Sequence, residues 1–76
     1  METNEVPTET KIQLIQQERQ MWLNTREMMV IRHRVNKRLN NPEAMKSCEK
    51  ELENCETAID ELSKILAELQ DNKKGS

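Results

Sequence analysis

Met45, Cys48, Leu52, Cys55, Ile59, Leu62, Leu66 and Leu69 follow one another in steps of three and four without a miss. This run constrains the fold more than any other feature, because apolar residues at that spacing line one side of an α-helix and scatter over both sides of a strand. It is a coiled-coil seam, and a seam needs a second helix laid along it. Ala44, Ala58 and Ile65 broaden the stripe, as expected of a helix that touches two neighbours.

A partner helix is present in the same chain, since Lys11 to Leu39 contains neither Gly nor Pro. Between the two lies Asn40-Asn41-Pro42-Glu43. Asn40 suits the left-handed conformation that ends a helix, Asn41 suits the cap of the next, Pro42 its first position and Glu43 the positive end of its dipole. Thr10 and Gln13 have the spacing of a capping box. The expected layout is an acidic tail over 1–9, a helix over 10–39, a turn over 40–42, a helix over 42–71 and a second tail over 72–76. So short a turn makes the helices antiparallel neighbours.

Folding the chain at the turn pairs Leu39 with Met45, Val35 with Cys48, Ile31 with Leu52, Met28 with Cys55, Met21 with Leu62 and Leu14 with Leu69. The expected hairpin core is therefore these twelve residues together with Ile59 and Leu66. Those last two meet only Asn24 or Thr25 and Gln17 or Glu18, while Ile15, Trp22 and Met29 are left without a partner inside the hairpin. A second copy would meet both needs. Length points the same way: 76 residues rarely stabilise themselves with one core, and two cysteines with one histidine supply neither a disulfide framework nor a zinc site. The fold expected is all-α, an antiparallel helical hairpin of two long helices that assembles into a four-helix bundle or a larger helical oligomer.

Charge divides the chain. Residues 11–39 hold seven Lys or Arg against Glu18 and Glu27, whereas residues 40–76 hold five Lys against nine acids. A basic helix beside an acidic one is most simply explained by their pairing. No apolar run reaches the length of a membrane span, and the acidic start lacks the pattern of a secretory leader, so the expected address is cytoplasmic with no membrane partner.

Arg19, Trp22, Arg26, Met29, His33 and Lys37 form a second stripe on the first helix, spread over roughly 80° at 100° per residue. Cations beside an aromatic ring can grip a phosphate and stack on a base, and they occur equally where arginine covers an aromatic at an oligomer interface. The interface reading stands first, with a nucleotide or RNA as the alternative ligand. His33 has no second group with which to build a catalytic site, and Cys48 and Cys55 lie about 10 Å apart along one helix, too far for a disulfide within the chain. No catalytic residues, metal or cofactor are expected. Arg32, Arg34 and Arg38 are expected to pair with Glu49, Glu51 or Glu53 across the hairpin or with an acidic tail.

In layout the chain is similar to small helical-hairpin proteins such as plasmid copy-number regulators of the Rop type, secretion chaperones and compact phage-encoded binding proteins. That resemblance implies action by binding. The function expected is a non-enzymatic binding or adaptor protein that self-associates and takes up a protein helix.

Overall fold

The computed structural model describes residues 6–75, with side chains to residue 71. Two helices, α1 over Thr8–Arg38 and α2 over Pro42–Gly75, form a hairpin, and no strand occurs among the described residues. The hairpin measures 59 × 24 × 14 Å. Its smallest dimension is close to the width of one helix, so the molecule is a flat two-helix layer.

α1 begins two residues earlier than the capping box predicts. Pro7 occupies the N-cap with φ −59° and ψ 151°, no side chain caps the helix, and the Lys11 amide donates to the Pro7 carbonyl at 3.0 Å. Thr10 thus lies inside the first turn, where Glu9 also sits near the positive end of the helix dipole. Of the expected 1–9 tail, residues 1–5 lie outside the described residues.

The turn has the form that its sequence predicts. Asn40 adopts a left-handed φ of 56°, its amide bonds the Lys37 carbonyl at 3.2 Å, and the Asn41 amide reaches the Asn36 carbonyl at 2.9 Å. These two bonds make a Schellman cap on α1. Asn41 then starts α2, its side-chain oxygen accepting the Ala44 amide at 3.2 Å and its carbonyl accepting the Met45 amide at 3.1 Å. One residue closes the first helix and opens the second. α2 runs on to Gly75, past the expected end at residue 71, because no Gly or Pro interrupts it earlier. Ser76 of the expected tail lies outside the described residues.

Along α2 the covered face is the three-and-four seam. Cys55 is 0% exposed and Cys48 7%, and Met45, Leu52, Ile59, Leu62, Leu66 and Leu69 are half-buried beside them. α1 has no buried residue. Its half-covered positions are chiefly Ile12, Ile15, Arg19, Trp22, Arg26, Met29, His33 and Asn36, again in steps of three and four.

This corrects the pairing expected from the sequence. Leu14, Met21, Met28, Ile31, Val35 and Leu39, assigned to the hairpin core, are 46 to 67% exposed. They lie roughly 140° around α1 from the covered face. Both stripes of α1 have the period needed to follow α2, so hydrophobicity alone favours the wrong one. The packed stripe gains from shape and charge: the small Cys55 thiol in the α2 seam leaves room for the stem of Arg26, and Arg19 and His33 reach acceptors on α2 with their polar atoms. The shortages that seemed to require a second copy are met within the chain. In the observed register Trp22 lies level with the Ile59 to Asp60 turn and Ile15 with the Leu66 to Ala67 turn.

Candidate functional site

The inner face of α1 is a polar ladder set among apolar rungs. Arg19 Nε donates to Ser63 Oγ at 3.1 Å, and His33 Nε2 donates to Glu49 Oε2 at 2.9 Å. The same number of residues separates Arg19 from His33 as separates Glu49 from Ser63, so a single register runs between the two contacts. That register sets Arg26 level with Glu56. Trp22 lies half-buried in the seam and donates from Nε1 to Glu18 Oε2 at 3.2 Å, within its own helix. Met29 is half-buried, while Lys37, assigned to the same stripe, is exposed near the end of α1. The structure therefore brings together Arg19, Trp22, Arg26, Met29 and His33, against α2 of the same chain.

Cys55 lies at the middle of this face. Burial raises its thiol pKa above the ordinary value, the carboxylates of Glu51 and Glu56 raise it further, and the Arg26 guanidinium partly offsets them. The neutral thiol is a poor nucleophile, which makes Cys55 a packing residue. Both cysteines are free. The raised pKa carries a sign: the folded state holds the proton that the unfolded chain loses, so stability is fully present below the unfolded thiol pKa, about 8.5, and declines as pH rises toward the higher native value. Urea unfolding of the wild type should weaken between pH 8 and pH 10 by more than that of Cys55→Ala, and parallel curves for the two would remove the titration from the account.

The outer face of α1 is the larger open feature. Ile31, Val35 and Leu39 form the floor of a shallow groove edged by Arg34 and Arg38. Toward the N-terminus the same stripe continues through Met28, Met21 and Leu14, all exposed. Arg32, Arg34 and Arg38 are exposed beside it, and none of the three pairs with Glu49, Glu51 or Glu53. His33 instead bonds Glu49 across the hairpin, and Lys64 pairs with Asp60 within α2. On α2 no large hydrophobic side chain is exposed among the described residues.

Sequence reasoning missed this groove because it placed Ile31, Val35 and Leu39 inside. The signal available was the row of arginines, Arg32, Arg34 and Arg38, flanking that end of the stripe: such a basic edge is costly against a buried core and natural at a rim. Among the described residues no group of three His, Cys, Asp or Glu stands close enough to hold a metal ion, and no helix is long and apolar enough to cross a membrane. Compared with known proteins, the chain matches no family model, no curated protein and no solved structure.

Proposed function

We propose that the protein is a non-enzymatic helical binding module that self-associates through the outer stripe of α1 and serves as an adaptor for a protein helix. The observation that carries this reading is the stripe itself: six large apolar side chains at coiled-coil spacing, each about half exposed, on a helix that buries none of its residues. Contiguous apolar surface on this scale is a mark of an interaction face, and a helix face of this pattern is the usual target of another amphipathic helix. A chain this small also has little core of its own, with Cys48 and Cys55 the buried residues among those described, so association would add the burial that a single hairpin lacks. The two buried free thiols fit a reducing compartment, which supports a cytoplasmic address.

Nucleotide or RNA binding by the Arg19, Trp22, Arg26, His33 and Lys37 stripe has less support. Arg19 and His33 are engaged by Ser63 and Glu49, and Glu18 and Glu51 line the space beside Trp22. An anion entering there would meet carboxylates.

Light scattering coupled to size exclusion tests the proposal. At tens of micromolar the wild type should run as an oligomer of the 9.0 kDa chain, and Ile31→Asp should reduce it to a helical monomer with self-association weakened at least about a hundredfold, as for a central interface side chain. A monomeric wild type, or an oligomer indifferent to Ile31→Asp, would sink the reading. A melting-temperature rise on adding nucleotides, abolished by Arg26→Glu, would favour the anion reading instead.

A further inference from the structure

We infer that the outer stripe of α1 receives the α1 helix of a second copy in antiparallel orientation, giving a flat layer of four helices with the two α1 helices inside. The inference rests on the proposed self-association and adds its occupant, direction and register.

Charge decides the direction. Near the stripe, the N-terminal half of α1 carries Glu18, and the C-terminal half carries Arg32, Arg34 and Arg38. Side by side in parallel, two α1 helices would bring these arginines against their own copies, which is destabilising along a shared seam. Antiparallel, Glu18 of each copy comes within one turn of Arg32 of the other, on the same side of the shared seam. Glu18 gives only Oε2 to Trp22, which leaves Oε1 for such a contact.

Shape gives the register. The groove with its floor of Ile31, Val35 and Leu39 lies between the edge of Arg34 and Arg38 and the flank of Arg32, and calls for an apolar ridge with an acid on its Arg32 side. Leu14, Glu18 and Met21 are that ridge: all three are exposed, they stand on successive turns of one face, and they belong to α1 itself. Setting Leu14 against Leu39 of the second copy brings Met21 toward its Ile31, and the two-fold axis passes near Asn24 to Met28. The contact is isologous, so each groove is filled by the other copy's ridge and the pair closes. Because the outer stripe stands roughly 140° from the face that holds α2, α1 lies between α2 and the second α1. A square bundle would need the two faces nearer to 90° apart.

Cysteine placement tests direction apart from association. Leu14→Cys and Leu39→Cys proteins, mixed and mildly oxidised, should give a disulfide-linked pair on a non-reducing gel, and neither should link to itself when oxidised alone. Self-linking of either single variant would establish the parallel arrangement and overturn the inference while leaving self-association in place. Absence of any link, with the wild type oligomeric and dissociated by Ile31→Asp, would overturn the register in the same way. A monomeric wild type would remove the reading beneath it.

Charge reversal supplies an independent readout without cysteines. Arg32→Glu should weaken self-association about tenfold, and mixing that protein with Glu18→Arg should restore it. A parallel pair would respond in the opposite direction, tightening when its facing arginines are removed.

Discussion

Cys55→Phe is expected to remove most of the folding stability of the hairpin. The Cys55 side chain has no exposed surface, and it sits in a two-helix layer with no second core to absorb the strain. Forcing a ring into a thiol-sized space costs about 1–3 kcal/mol in an ordinary core, and the upper end applies where the only relief is to push two helices apart. A domain of this size has only about 3–5 kcal/mol to lose from its core. Circular dichroism should show the melting midpoint lowered by about 15 °C, since each kcal/mol shifts a small domain by several degrees. Cys55→Ala, which removes one atom and favours helix, should lie within about 1 kcal/mol of the wild type. A Phe variant as stable as the Ala variant would mean that the helices do not close over this position.

Trp22→Ala carries the second large effect and tests which way α1 faces. Trp22 is half-buried on the inner seam, and its neighbour Met21 is 61% exposed on the outer one. Truncating a fully buried aromatic costs about 3–5 kcal/mol, so the half-covered ring should cost about 2 kcal/mol, partly returned by the helix propensity of alanine. Met21→Ala should cost less than about 0.5 kcal/mol when measured dilute enough for the outer stripe to stand free. The ranking reverses if Leu14, Met21 and Met28 form the internal seam. Thermal melts of both variants at low micromolar concentration read the difference, and the same variants at high concentration should exchange places in their effect on assembly.

The contrast between these neighbours shows where sequence was sufficient. The α2 seam could be read because one face holds nearly every large apolar residue of that helix and the opposite face is polar, with Glu53, Thr57 and Glu61 among Lys46, Lys50 and Lys64. The turn could be read because Asn40, Asn41 and Pro42 each satisfy a different backbone need. Even the pairing along the axis lies within about a residue of that set by Arg19 with Ser63 and His33 with Glu49. The rotation of α1 could not be read from hydrophobicity. Its apolar residues are spread around the helix, and a scale that counts Arg19, Arg26 and His33 as polar discards the stems and rings that cover the α2 seam. A better signal was present in the mismatch itself. Ile59 and Leu66 lacked partners on one stripe of α1 and Ile15, Trp22 and Met29 lacked them on the other, so exchanging the stripes removes both problems without a second chain.

Among the described residues the large exposed hydrophobic side chains fall on α1 and the residues flanking it and none falls on α2, whose outward side presents Glu53 and Glu61 among Lys46, Lys50 and Lys64. On the proposed self-association, a plate that is apolar on one side and charged on the other would limit its own growth. Were two apolar sides to meet, what remained outside would offer a third copy no large apolar side chain, so the pairing would stop short of a filament.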